Sequence, residues 1–397
     1  MFGYKNNIKI IFLIIPIIFI LSIVFLYKRI LIYEFSQEPK ENEKALDKEK
    51  ELKERIGQMI TVGFRGTEIS EDSYIVKVIQ DVEIGGVILF DFDIPSKSFP
   101  RNILNPEQTK KLIFDLQSYS STPLFVAIDA EGGKINRLKP EYGFSDFLSP
   151  KELGEIGDTE TTKKEALKLS QELKNLGFNM NLAPVVDVNI NPNNPIIGAL
   201  GRSFSSDPRE VTSHAQAFIE AHNQNNVITV AKHFPGHGSS SGDSHLGMVD
   251  VTKTYKEEEI LPYRILQEKG LLNVVMTAHI FNRKIDKDYP ATLSGIFLRD
   301  ILRKEIGFKG IIISDDMQME AITNYYGIEE ATIKAINSGC DIVLFSNNSP
   351  LGFDEELPYK VQEIIYQAVK NGKISEERII ESANRIYNLK RQFKIIQ

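Results

Sequence analysis

Tryptophan is absent and cysteine occurs once, at Cys340. A lone cysteine excludes an intrachain disulfide and a cysteine-built zinc cluster. Cys340 stands in an apolar run, so it reads as a small buried hydrophobe rather than a reactive thiol. The missing disulfides hint at a reducing compartment, but a chain this size can build a core without them. Positive charge is also in short supply. Lys and Arg number 47 against 54 Asp and Glu, for a net charge of −7. A nucleic-acid partner would call for a basic stripe, and none is expected here. Low-complexity bulk is lacking as well. With 42% hydrophobic and 25% charged residues in 397, the composition is globular and suits one large domain or two ordinary ones.

One long apolar run is present. From Ile10 to Tyr27 only Ser22 is clearly polar, and eighteen residues approach the span of a bilayer core. Lys5 and Lys9 precede the run; Lys28 and Arg29 follow it. No small-residue cleavage site ends it and no cysteine follows for a lipid anchor, so residues 1–30 read as an uncleaved signal anchor, a transmembrane helix. Positive charge flanks both ends. The amino terminus with Lys5 and Lys9 favours the tail inside and the domain outside, giving a membrane-anchored, extracytoplasmic protein. Residues 31–49 are polar and charged, and read as a solvated linker grading into a helix through Leu52 and Ile56.

From residue 50 to 397 short apolar runs alternate with longer amphipathic stretches. Eight runs predict strands buried on both faces: 58–64, 86–90, 124–129, 179–186, 227–232, 273–278, 310–314 and 341–345. The helices between them have recognisable ends. Asp207-Pro208 is an N-cap followed by proline at the first helical position. Gly270, Gly307 and Gly339 stop helices just before the next run. Eight strand–helix repeats predict an α/β fold, a single-domain (β/α)8 TIM-type barrel preceded by the anchor helix. An open doubly wound sheet fits the same pattern.

In a parallel barrel the active site lies at the strand C-terminal ends. The third run ends in Asp129-Ala130-Glu131-Gly132-Gly133, and the fourth in Val186-Asp187. The fifth ends in Lys232-His233-Phe234-Pro235-Gly236-His237-Gly238, the sixth in Ala278-His279, and the seventh in Ser314-Asp315-Asp316. Four of the six histidines fall in or near these segments: His233, His237, His245 and His279. His214 and His222 lie on a predicted helix and read as ordinary. Pro235-Gly236 prevents His233 and His237 from sharing a helical face, so no metal site is expected; His237 reads as a loop brace. Asp315 should project into the rim, which suits a carboxylate nucleophile for glycosyl transfer. Asp316 should point the other way and act as a cap or supporting carboxylate. After Gly238 a loop of small residues carries Asp243-Ser244-His245. A histidine there can protonate a leaving oxygen and later deprotonate water, with Asp243 orienting the ring.

These motifs together resemble glycoside hydrolase family 3, in its bacterial β-N-acetylglucosaminidase (β-N-acetylhexosaminidase) branch. The likeness runs over about residues 50–395 and includes Arg137 and Gly201-Arg202-Ser203-Phe204. It implies a retaining exo-β-N-acetylglucosaminidase acting on cell-wall muropeptides or chitooligosaccharides. Asp315 would form the covalent intermediate, and His245 paired with Asp243 would be acid then base. Asp129, Arg137, Arg202, Lys232, His233 and His279 would hold or line the sugar site, with Asp187 in support. No metal or organic cofactor is implied, and a monomer is expected. The family often has Gln where this chain has Ala130, and an acidic residue where it has Ser239. No second large domain is expected after the barrel, so the loops would finish the pocket alone. A phosphorylase or β-glucosidase of the same family, and a non-catalytic membrane-bound sugar-binding protein, remain the alternatives.

Overall fold

The computed structural model describes residues 5–350 and 352–397, with backbone alone for 5–18, 32–43 and 45. The chain divides into two units, Met1–Leu52 and Lys53–Gln397. The boundary lies close to the predicted end of the linker.

In the first unit a single helix begins at Lys5, and it runs on to Gln58. The expected charged linker, 31–49, falls within this helix. No glycine occurs between residues 4 and 56, and glutamate and lysine favour helix. Among the described residues no helix is long and apolar enough to cross a membrane. Of the predicted span, 10–27, the side chains of residues 10–18 lie outside what is described. Its described portion, including Phe19, Leu21, Phe25 and Leu26, is exposed.

In the second unit eight parallel strands close a barrel: Ile60–Gly63, Gly86–Ile88, Phe125–Ile128, Met180–Asn181, Ile228–Phe234, Val274–Thr277, Ile311–Asp316 and Ile342–Phe345. Closure pairs the first strand with the eighth, Ile60 opposite Val343 and Thr61 opposite Leu344. An open sheet is thereby ruled out. Most strand residues are buried, as apolar runs covered on both faces must be. The fourth strand is shorter than predicted. Pro184 has no N–H to give the ladder, and pairing resumes only as a single bridge from Val185 to Lys232.

The caps behave as expected. Asp207 accepts from the Arg209 amide at 2.8 Å to open the helix Pro208–Gln224. Gly307 (φ 78°) ends the segment Ile296–Glu305, which is π-helical rather than α-helical. The strand C-terminal ends, and the loops that leave them, all open on one rim.

Candidate active site

The rim surrounds a cavity of about 470 Å³. Its walls include Asp129, Arg137, Arg202, Lys232, His233, His245 and Asp315. Two functional surfaces meet there, a buried charged cluster and a pair of less encumbered reactive groups.

The cluster grows from strands three and five. Lys232, at the end of the fifth strand, places Nζ 2.9 Å from Asp129 and 2.7 Å from Glu131. Glu131 takes Nε and Nη2 of Arg202 at 2.8 and 2.7 Å. Arg137 donates to Asp129 at 3.3 Å and so joins the same network. Buried charges persist only when paired and hydrogen-bonded, and here each has a partner. Burial alone would raise the Asp129 and Glu131 carboxyls. The cations beside them, Lys232 and Arg137 for Asp129 and Arg202 and Lys232 for Glu131, hold both below the usual range. Burial likewise opposes the charge on Lys232, but Asp129 and Glu131 raise its affinity for the proton.

His233 Nδ1 lies 2.6 Å from Asp187, and its Nε2 lies 3.3 Å from Arg202 Nη2. Arginine only donates, so Nε2 accepts and the Nδ1 proton points to Asp187. The Asp187 carboxylate also takes the His237 amide at 2.7 Å. His237 is wedged between two loop hydroxyls, Ser240 at 2.9 Å and Ser244 at 3.3 Å. Burial lowers its pKa to about 4, which makes it a neutral brace at ordinary pH.

Asp315 is the last residue but one of the seventh strand. Its Oδ1 accepts the amide of Asp316 at 2.8 Å; its other oxygen has no partner among the described residues. Burial works against its charge, but the imidazoles of His279, His233 and His245 outweigh that and keep its carboxyl below the usual range. Asp316 accepts the amide of Ser346, just past the eighth strand, at 3.0 Å and that of Gln318, two residues on, at 3.1 Å. Strand alternation thus separates two adjacent carboxylates into different tasks.

His245 lies on the loop after the fifth strand, its side chain 60% exposed. Asp243 Oδ1 accepts its Nδ1 at 2.7 Å and its amide at 2.9 Å. Nδ1 therefore carries a proton, and Nε2 has no partner among the described residues.

One expected residue is placed differently. His279 does not line the cavity. It is buried, its Nε2 donating to the Asp316 carbonyl at 2.9 Å and its Nδ1 lying 2.8 Å from Thr292 Oγ1. A strand-end histidine can turn either into the rim or back against its neighbour, and Thr292 holds it back. Sequence reasoning also missed Glu131, although alternation from Asp129 puts the two on one side. It missed Ser346 and Asn348 too; the polar run after the eighth strand was the available signal.

The model of the glycosyl hydrolase family 3 N terminal domain matches residues 51–389. The chain belongs to glycosyl hydrolase family 3. Among family relatives, a protein named beta-hexosaminidase from Neisseria meningitidis serogroup B is 34% identical over 322 residues, which is 77% of this chain and 84% of the relative. Beta-hexosaminidase A of Pseudoalteromonas piscicida is 33% identical over 336 residues, 79% of this chain but only 54% of that protein. The chain thus spans about half the length of that larger relative. A solved family 3 beta-N-acetylglucosaminidase from Paenibacillus sp. superposes with a TM-score of 0.78 at 33% identity, covering 86% of this chain and 62% of that one. A beta-N-acetylhexosaminidase from Beutenbergia cavernae gives 0.76 at 28% identity, covering 86% and 98%.

Proposed function

We propose that this family 3 protein is a retaining exo-β-N-acetylglucosaminidase that removes terminal β-linked N-acetylhexosamine from muropeptides or chitooligosaccharides. One observation carries the reading. An ionised carboxylate with a free oxygen, Asp315, and an imidazole with a free Nε2, His245, line the same cavity.

The chemistry follows from these two groups. The free oxygen of Asp315 attacks the anomeric carbon while protonated His245 gives its Nε2 proton to the departing oxygen. The glycosidic bond breaks and a glycosyl ester on Asp315 forms. Neutral His245 then takes a proton from water as that water attacks the same carbon. Asp315 leaves as carboxylate and the imidazole is recharged for the next turn. Asp243 holds Nδ1–H throughout and stabilises the imidazolium. Asp129, Arg137, Arg202, Lys232 and His233 supply donors and acceptors for the sugar hydroxyls, and His279 steadies the strand end behind the nucleophile.

The exposed apolar residues between Phe19 and Leu31 support a membrane anchor centred on 10–27, with the barrel outside the membrane. The barrel is expected to act as a monomer.

The deciding experiment uses His245→Ala with an aryl β-N-acetylglucosaminide, whose leaving group needs little protonation. Mass spectrometry of the quenched reaction should show one N-acetylhexosaminyl unit on the peptide that carries Asp315. Normal turnover by Asp315→Ala, or label on another residue, would overturn the assignment.

A further inference from the structure

The two sides of the cavity differ in charge. The cations on its wall, Arg137, Arg202 and Lys232, all belong to the Asp129–Glu131 cluster. The proton donor, His245, stands where the leaving group departs. The residues beside it therefore meet that group rather than the sugar being cleaved.

Of the residues lining the cavity, Leu246 adjoins His245 in sequence, and Glu320, just after Met319, begins a helix that packs against the His245 turn. Leu246 follows His245 directly and is 75% exposed while lining the cavity. The short helix Glu320–Thr323 packs against the turn Ser244–Leu246 that carries His245. Glu320 accepts from Asn324 Nδ2 at 3.2 Å, and no cation pairs with it among the described residues. Arg283 reaches Met248 nearby, but it is paired with Asp250 and is not part of the cavity wall. This side thus offers apolar surface and a carboxylate without a counter-charge.

We propose that the leaving-group side of the cavity selects a neutral unit with an apolar face, such as a second N-acetylhexosamine, over one that carries a carboxylate. The inference rests on the hydrolase reading above. A pyranose buries its C–H face against the exposed Leu246, which removes apolar area from water. An acidic substituent would meet the like charge of Glu320, and the His245 imidazolium of the first step is already paired with Asp243.

The test compares two matched disaccharides with N-acetylglucosamine in the cleaved position. In one the leaving sugar bears a lactyl-ether carboxylate; in the other that group is its methyl ester. The full chain should show kcat/KM at least about tenfold higher for the ester. Glu320→Gln should narrow that ratio several-fold. Leu246→Ser should lower, several-fold, the ratio of kcat/KM for diacetylchitobiose to that for the methyl glycoside. Equal rates on acid and ester, or ratios unmoved by both substitutions, would overturn this inference while leaving the hydrolase reading intact. No turnover of any of these sugars would overturn both.

Discussion

Asp243 Oδ1 takes two hydrogen bonds from His245, one from the ring at 2.7 Å and one from the backbone amide at 2.9 Å. The pair is built within three consecutive residues, so the dyad is positioned locally even though its loop is exposed. The carboxylate sets which ring nitrogen is left for chemistry.

Asp243→Asn should therefore impair proton transfer more than binding. A drop in kcat of about 100-fold is expected, at the lower end of what general acid catalysis contributes. The loss should grow as the leaving group becomes more basic, and KM should change little. Steady-state kinetics on aryl glycosides of graded leaving-group acidity measure it. An equal loss on every substrate would point instead to general disruption of the loop.

Glu131 should prove to be a keystone of the charged cluster. Its side chain is fully buried and the partner Arg202 is 10% exposed. Glu131→Ala leaves Arg202 and Lys232 with one carboxylate fewer, and breaking a buried pair of this kind costs about 3–5 kcal/mol. Denaturant unfolding should show that loss, and activity should fall with it because both cations line the cavity. Glu131→Gln keeps the volume and should cost less stability than the alanine.

Acid should unfold the barrel through the same carboxylates. Asp129, Glu131, Asp187 and Asp341 all have folded pKa values below their ordinary ones, since neighbouring cations or imidazoles outweigh the effect of burial. A depressed carboxyl contributes stability in full above its unfolded pKa, roughly 4, and loses it as pH falls through the folded value. The melting temperature should accordingly drop steeply below about pH 4. A flat profile down to pH 3 would contradict the ionised network.

Lys390 should behave in the opposite sense to a useful charge. It is buried, with Gln58 Oε1 at 2.8 Å and the Phe125 ring 4.9 Å from Nζ. Burial lowers its pKa to about 7. The unfolded chain thus binds more protons than the folded one between about pH 7 and 10, so stability rises with pH across that window. Lys390→Met should stabilise the fold on the order of a few kcal/mol at pH 6, less any cost of orphaning Gln58, and progressively less toward pH 10. Thermal unfolding of both proteins at pH 6 and 9.5 checks the sign and the trend.

The barrel was largely legible in the sequence because its signals are local. Buried parallel strands appear as apolar runs, and helices announce their ends with Asp207-Pro208 or Gly307. Pro184 shortened the fourth strand for a reason visible in the chain, although the run of apolar residues around it masked the break. Residues next to each run also revealed Asp315, Lys232 and His233 as rim groups. The Asp243–His245 pair was readable because it spans only three residues.

What the sequence by itself determined is the order of strands and caps, and which reactive side chains stand at the strand ends. Tertiary structure alone decided which of them act together. Arg202 meets Glu131 across 71 positions, and Lys232 meets Asp129 across 103. His279 turns toward Thr292 rather than the cavity, and Glu320 comes to stand beside the His245 turn. Charge pairing and burial depend on distance through space, and only closure of the barrel sets those distances.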